Sequence, residues 1–409
     1  MSSSIEAPNH SPVANNSGSQ QILFRLLSRL QHGCIQLTLP DGSQRSYGEP
    51  GDDLLAAHAE ILHESCYRDI LFSGSLGAAE AYLQGRWRSD DLTSLLRLMC
   101  RNLSETGMLN TGWARIGRVP AKIVHWLSGN SLRGSKRNIA AHYDLSNEFF
   151  RLFLDPTMMY SSGIFKTPES TMEQASIEKV DRICRVLDLQ PGDHVLEIGT
   201  GWGGFALHAA REYGCRVTTT TISQQQYELA ADRFRVAGLS DRITLLRDDY
   251  RQLTGQYDKL VSIEMIEAVG RRYLPTYFQT CNRLLKPLGT LLIQAIHTPD
   301  HGYNAYCRGI DFIRKYIFPG GHLPSIGAMQ RATEGTGLSL REMHEFPESY
   351  ARTLRCWRHA FEENRSQVLS LGFDERFVRM WNYYFCYCEA AFLERSVSAG
   401  QFVWKKSRR

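Results

Sequence analysis

The sequence predicts a doubly wound α/β fold, a parallel sheet with helices on both faces, preceded by a smaller and mainly helical N-terminal domain. Three observations carry this reading. From about residue 171 short apolar runs alternate with helical periods, the pattern of a parallel sheet with crossover helices. The stretch VLEIGTGWGGF (Val195–Phe205) reads as a buried strand, a tight glycine turn and a helix start, and open α/β sheets bind ligands beyond the carboxyl ends of such strands. A chain of 409 residues has length for two domains.

Residues 1–19 are polar and rich in Ser, Asn and Pro, without a basic region followed by an apolar run, and are expected to be a disordered tail. Residues 20–105 form the expected N-terminal domain. It opens with an amphipathic helix over 20–31, with Ile22, Leu23, Leu26, Leu27 and Leu30 on one side. Cys34 to Leu39 alternates, and Asp41-Gly42 supplies a turn, which suggests a small hairpin. Residues 55–103 read as mostly helical, interrupted around the GSLG stretch and at Gly85. Residues 106–135 are read as a basic linker, and 136–409 as the catalytic domain. Within that domain the periodicity predicts a helix over 171–188, strand 194–198, helix 203–212, strand 215–221, helix 223–237 and strand 242–247. Strand 258–264, helix 271–285, strand 289–296 and a helix over 374–398 follow.

Net charge is only +4, which argues against a dedicated nucleic-acid binder. The charge is unevenly placed. No acid lies between Glu105 and Asp144, while Arg115, Arg118, Lys122, Arg133, Lys136 and Arg137 do, interleaved with Trp113 and Trp126. The chain also ends on Lys405, Lys406, Arg408 and Arg409. Such basic blocks suit an anionic lipid surface, or are simply solvated. The ten cysteines lack zinc-type spacing and the thirteen histidines form no HExxH pattern, so reduced thiols and no metal are expected. No apolar run approaches the roughly 20 residues that span a bilayer. The expected location is cytoplasmic with peripheral membrane contact.

Gly199, Gly201 and Gly204 fit the G-x-G-x-x-G spacing. A dinucleotide site also expects an acid about 20 residues on, to hold a ribose. That region reads VTTTTISQ (Val217–Gln224) and has none, which weighs against a nicotinamide oxidoreductase. Glu197, just before the glycines, would repel a pyrophosphate but suits the cationic methionine end of S-adenosylmethionine. Asp249 and Tyr250 follow a later strand and could cover an adenine. A methyl-donor site is the expectation, and a purely structural turn is the alternative.

Several ordered motifs then resemble the cyclopropane-fatty-acyl-phospholipid synthases and their relatives, the mycolic-acid cyclopropane synthases. They are GSLGAAEAY (Gly74–Tyr82), AHYDLSN (Ala141–Asn147), MYS (Met159–Ser161), EIGTGWGG (Glu197–Gly204), TISQQQ (Thr221–Gln226), EMIEAVG (Glu264–Gly270) and YIFPGG (Tyr316–Gly321). The resemblance runs from about residue 60 to the end. It implies a Rossmann-like S-adenosylmethionine-dependent methyltransferase fold, with an unsaturated acyl chain, often in a phospholipid, as substrate. It places the methyl donor against Tyr143, Tyr160, Ser161, Glu197, Gly199, Thr200, Gly201, Trp202, Gly203, Thr221, Gln226, Asp249 and Tyr250. The acyl pocket is expected beneath 297–330, with Tyr303, Tyr306, Phe312 and Phe318 as aromatic walls.

In the family a bound bicarbonate is understood to take the final proton from the methylated chain. By resemblance Glu267 is the carboxylate and Tyr316 the phenol of its cage. Ser162 stands where the family has cysteine, and Gln294 where it has histidine; glutamine can donate a hydrogen bond but carries no charge. His297 is a candidate replacement base, or just a loop histidine. Cys388 matches a C-terminal cysteine, although a free thiol on a helix usually serves packing. A cyclopropane acyl chain is the expected product. A methyl-branched or exomethylene chain, or a silent module that binds S-adenosylmethionine and membranes, are the alternatives. Relatives of this type form dimers, so a homodimer is expected.

Overall fold

The computed structural model describes residues 18–51, 55–102 and 145–408. Tyr143 and the basic stretch 106–135 lie outside the described residues.

The N-terminal unit runs α1 (Gly18–Leu27), β1 (Cys34–Thr38), β2 (Gln44–Gly48), β3 (Ala56–Ile61), α2 (Ser65–Leu83), β4 (Trp87–Arg88) and α3 (Leu92–Arg101). The hairpin β1–β2 forms as expected, with Ser43 donating from backbone and hydroxyl to Asp41 in the turn. The run from 55 differs from its helical reading, because it starts as strand β3, parallel to β1, in a four-stranded sheet of order β2-β1-β3-β4. Ala57, Ala59 and Ile61 alternate inward, and two alanines are too small and too helix-tolerant to announce a strand. Helix α2 breaks its helical backbone at Gly74, inside the GSLG stretch.

The larger unit runs α4 (Asn147–Arg151), α5 (Met172–Val186), β5 (His194–Ile198), α6 (Gly204–Glu212), β6 (Arg216–Thr220), α7 (Gln224–Val236), β7 (Ile243–Leu246), β8 (Tyr257–Ile263), α8 (Leu274–Leu284) and β9 (Leu285–His297). It continues with α9 (Asp300–Arg308), a π-helical turn (Ile313–Ile317), α10 (Ile326–Ala332), β10 (Leu338–Glu345), α11 (Pro347–Glu363), α12 (Arg365–Ser370), α13 (Glu375–Leu393) and β11 (Ser398–Lys406). Helix α5 starts on a capping box, Thr171 with Gln174, which satisfies backbone N–H groups left open by the first turn. The sheet order is β10-β11-β9-β8-β5-β6-β7. Strands β9, β8, β5, β6 and β7 are mutually parallel; β11 lies antiparallel to both β9 and β10. This is the Rossmann-like methyltransferase arrangement.

Two elements depart from expectation at the C-terminus. The final helix stops at Leu393, and the residues after it form β11, the penultimate strand of the sheet. Lys405 and Lys406 therefore belong to a strand and not to a loose basic tail. Lys406 Nζ donates to the carbonyls of Asn282 and Leu285, both at 2.6 Å, at the end of α8, where a cation suits the helix dipole. Lys405 Nζ donates to Thr290 Oγ1. All ten cysteines are free thiols. Among the described residues no helix is long and apolar enough to cross a membrane.

The N-terminal unit is clamped on α11 and α13. One apolar cluster runs through both units, from Leu95 and Leu98 of α3 to Trp381 and Phe385 of α13. Two carboxylates fasten this contact. Glu389, 1% exposed, accepts from Thr93 Oγ1 of α3 at 3.0 Å and from Arg355 Nε of α11 at 2.7 Å. Glu394 accepts from Arg97 and Arg101 of α3. Burial would raise the Glu394 carboxyl, but hydrogen bonds from Arg101 and Arg97 outweigh it and hold it below the usual range. Removing the carboxylate leaves the buried Thr93 hydroxyl without its acceptor, while the half-exposed Arg355 can turn to water. Glu389→Ala is expected to lower stability by about 1–3 kcal/mol, read as a reduced urea midpoint, with Glu389→Gln costing less because it keeps an acceptor for Thr93.

Candidate functional site

Strand β5 ends at Ile198, and the glycine turn begins where the sheet order reverses around it. The N–H groups of Gly199 and Thr200 donate to the carbonyl of Thr220, at 3.1 and 3.0 Å, which pins the turn to the end of β6. Gly201 has φ +52° and a Cβ there would meet nothing within 4 Å, so its bare backbone faces open space. Gly203 has φ +86° and a Cβ would sit 2.5 Å from the Phe234 ring. A side chain is thus excluded at Gly203 by packing and at Gly201 by backbone conformation.

Around the turn, Thr219 Oγ1 donates to Glu197 Oε2 at 2.6 Å. Burial pushes the Glu197 carboxyl up to about 8, against that bond and the charge of Lys179. Thr221 Oγ1 donates to Gln226 Oε1 at 2.7 Å, linking the end of β6 to the first turn of α7. Arg251 grips both oxygens of Asp249 at 2.7 Å. Trp202 Nε1 donates to Asn147 Oδ1 at 2.7 Å, and Tyr160 OH donates to Tyr384 OH at 3.0 Å.

These groups share one cavity of about 2070 Å³. Tyr160, Ser161, Glu197, Gly199, Thr200, Gly201, Trp202, Thr221, Gln226, Asp249 and Tyr250 all line it. Gly203 sits behind the wall, against Phe234. The same cavity is also lined by Leu96, Met99, Ile313, Phe318, Leu354 and Tyr384, together with charged groups such as Arg101, Asp311, Lys315 and Glu394, and the N-terminal unit closes part of it. Of the expected aromatic walls, Tyr306 and Phe318 line it. Tyr303 instead meets His322 Nε2 with its hydroxyl, and Phe312 packs on Tyr383. Cys388 lines the cavity, and burial holds its thiol far above the usual range; it is a neutral apolar wall group.

At the end of β8 the polar floor of this cavity departs from the expected cage. Tyr316 does not reach it. Its hydroxyl donates to Glu80 Oε1 of α2 at 2.8 Å, beside Lys315, because the π-helical turn faces the N-terminal unit. The phenol that reaches the cavity carboxylates belongs to Tyr350 of α11. Tyr350 OH donates to Glu264 Oε2 at 2.6 Å. Glu264 Oε1 accepts from the Ser162 N–H at 3.0 Å and from Gln294 Nε2 at 2.8 Å. Gln294 is otherwise satisfied, its Oε1 accepting from Gln401 Nε2 at 3.0 Å, and Ser162 Oγ donates to the Gly163 carbonyl.

Glu264 sits in the left-handed region, φ +48°, a conformation that costs a residue with a Cβ roughly 1–2 kcal/mol. Desolvation raises its carboxyl, and the bonds from Tyr350, Gln294 and Ser162 pull it back. Glu267 lies three residues on. Its Oε1 accepts from the Ile296 N–H at 2.6 Å, and its Oε2 has no hydrogen-bond partner among the described residues. Burial, then the neighbouring Glu264 charge, pushes its carboxyl up to about 8. Lys179 of α5 is 1% exposed and donates to Ser161 Oγ at 2.6 Å. Burial brings its ammonium down to about 8, against the pull of Glu264, Asp155 and Glu197. His297 turns out of the cavity wall to meet Glu345 Oε1 at 2.9 Å, which removes it as a replacement base.

The residues at the glycine turn fit S-adenosylmethionine: bare backbone at Gly201, acceptors at Glu197 and Asp249, and room beside them. The residues at the polar floor do not fit bicarbonate. The Ser162 and Gln294 groups that would hold it already serve the Glu264 carboxylate. Sequence reading left Glu264, Lys179 and Tyr350 without roles. Glu264 stood in a quoted motif, three residues before Glu267, but nothing in a sequence signals a left-handed glutamate. Lys179 and Tyr350 lie on helices far from any motif and join the site only through packing.

The family model described as mycolic acid cyclopropane synthetase matches residues 130–402. The chain is 39% identical over 385 residues to the tuberculostearic acid methyltransferase UfaA1 of Mycobacterium tuberculosis, covering 92% of this chain and 89% of that one. It is 33% identical over 358 residues to the cyclopropane-fatty-acyl-phospholipid synthase of Escherichia coli K12, covering 86% and 88%. The solved mycolic acid cyclopropane synthase CmaA1, complexed with SAH and CTAB, superposes with a TM-score of 0.62 at 31% identity, over 66% of this chain and 98% of that one. With the glycine turn and the sheet order, these matches place the chain in the mycolic acid cyclopropane synthetase family, as an S-adenosylmethionine-dependent methyltransferase.

Proposed function

We propose that this enzyme adds one carbon from S-adenosylmethionine to the double bond of an unsaturated acyl chain, esterified in a phospholipid. One observation carries the reading: a single cavity takes in the glycine turn, apolar and aromatic walls such as Leu96, Met99, Phe318 and Leu354, and the carboxylates Glu264 and Glu267. S-adenosylmethionine supplies an electrophilic methyl group on a sulfonium. The turn Gly199–Gly203, Glu197, Gln226 and Asp249 hold it, Glu197 and Asp249 through their acceptor oxygens. The apolar walls hold the acyl chain and exclude water, so that an isolated alkene is aligned and a cation on the chain is not quenched. Aromatic faces such as Tyr160, Phe318 and Tyr384 stabilise that cation by about 0.5–2 kcal/mol each. The chain then loses a proton to a group on the polar floor.

Which C–H bond breaks sets the product. Loss from the new methyl closes a cyclopropane ring, the product the motifs imply. Loss from the adjoining chain carbon leaves a methyl-branched chain with an internal double bond, and a 1,2-hydride shift followed by loss from the methyl leaves an exomethylene chain. This second reading is favoured by the match to a tuberculostearic acid methyltransferase, which has higher identity and coverage than the match to a cyclopropane synthase. The reading includes a lipid surface as the place of work, met through the basic stretch 106–135, and self-association as a homodimer.

Incubating the enzyme with oleoyl phospholipid vesicles and methyl-labelled S-adenosylmethionine is expected to add one carbon per acyl chain. These products are isomers of one mass, so proton NMR of the released chains decides: high-field ring protons for cyclopropane, a vinylic methyl for the internal alkene, olefinic CH2 protons for the exomethylene chain. Absence of label in the lipid overturns the reading. Gly201→Val places a side chain in the open space at the turn and strains the backbone. It is expected to weaken S-adenosylmethionine binding at least about tenfold, or about 1.4 kcal/mol, by calorimetry on the enzyme without lipid.

A further inference from the structure

We propose that Glu264 is the proton acceptor of the reaction, a carboxylate built into the chain in the place where an exchangeable anion would otherwise be held. The inference rests on the one-carbon-transfer reading above and names the group that finishes the reaction. Of the carboxylates that line the cavity, Glu197 ends β5 beside the glycine turn, Glu264 and Glu267 lie at the polar floor, and Asp249 is held by Arg251. Glu197 belongs to the turn, bound by Thr219. Glu267 accepts one backbone hydrogen bond and faces the charge of Glu264; it is the member of the pair that keeps a proton near neutral pH. Two carboxylates this close do not both ionise readily, and the one with more donors takes the charge.

That member is Glu264. It accepts from the Ser162 N–H, Gln294 Nε2 and Tyr350 OH, and Lys179 supplies the nearest counter-charge behind Ser161. An ionised carboxylate offers about four lone-pair sites. Two donors occupy Oε1 and one occupies Oε2, so Oε2 keeps a site for an incoming proton. The backbone at Glu264 is left-handed, where glycine would sit without strain. A glutamate is retained there at a conformational cost, and its side chain is what fills the ring of donors.

The step balances without an oxidant or reductant. A C–H bond of the methylated acyl cation breaks, and the proton passes to Glu264 Oε2. The electron pair of that bond stays with the chain and forms a C–C bond to the cationic carbon, closing the ring, or a C=C bond beside it. The cation is thereby neutralised. The proton leaves later through the cavity to water.

Glu264→Gln keeps the shape, and Glu264→Gly relieves the backbone and empties the ring of donors. Both are expected to bind S-adenosylmethionine like the parent in calorimetry, and to lose at least about 100-fold in lipid labelling, the range of a lost general base. In bicarbonate-depleted buffer the parent is expected to keep its rate. Adding bicarbonate or formate is expected to restore Glu264→Gly at least about tenfold and to leave Glu264→Gln unchanged, since its amide still blocks the space. A parent rate that falls when bicarbonate is withdrawn, or a Glu264→Gln rate within about threefold of the parent, overturns the proposal. A second readout needs neither lipid nor methyl donor. Bicarbonate should raise the melting temperature of Glu264→Gly and not that of the parent, and equal shifts in both overturn the idea that the ring is already filled. If the parent labels no lipid at all, the functional reading fails and takes the proton transfer with it, while this melting comparison still decides who occupies the ring.

Discussion

Three hydrogen bonds on the Glu264 carboxylate join parts of the chain that are remote in sequence. The Ser162 N–H comes from the loop before α5, Gln294 from β9 and Tyr350 from α11. Glu264 itself ends β8, and its own N–H donates to the Gln294 carbonyl at 2.8 Å. A carboxylate half out of water is costly unless its oxygens are met by donors, so this group draws four elements to one point. That point lies on the wall of the cavity that also takes in the glycine turn.

The surrounding charges are arranged by the same constraint. Lys179 is enclosed with no carboxylate in direct contact among the described residues, yet its ammonium bonds Ser161 and faces Glu264, Asp155 and Glu197. One buried cation among several enclosed carboxylates leaves room for only part of the acidic set to be ionised. The pushed-up carboxyls of Glu197 and Glu267 are the outcome.

The cavity depends on the second unit. Leu96 and Met99 of α3 close its wall, and they are held by the Glu389 and Glu394 clamps onto α11 and α13. An aromatic cluster in the same core, with Phe149 edge to face on Trp381 and Phe153 edge to face on Phe385, backs that contact. The shape of the cavity therefore depends on the docking of the N-terminal unit as much as on the sheet.

Local sequence by itself determined the alternation of strands and helices, the glycine turn at the first strand and the polar residues that follow β6, because periodicity and turn chemistry act over a few residues. Ordered motifs determined the family. The sequence did not show β3, whose alanines carry no strand preference, or β11, whose place between β9 and β10 is set by pairing with strands more than fifty residues away. Nor did it show that Tyr316 turns to Glu80 while Tyr350 takes the cage, since both are tyrosines beside helices and only packing aims them. Tertiary structure alone decided that Glu264 occupies the ring of donors. Its left-handed backbone and its three partners exist only when β8, β9, α11 and the loop before α5 are brought together, and hydrogen-bond geometry between distant segments is not encoded in any one of them.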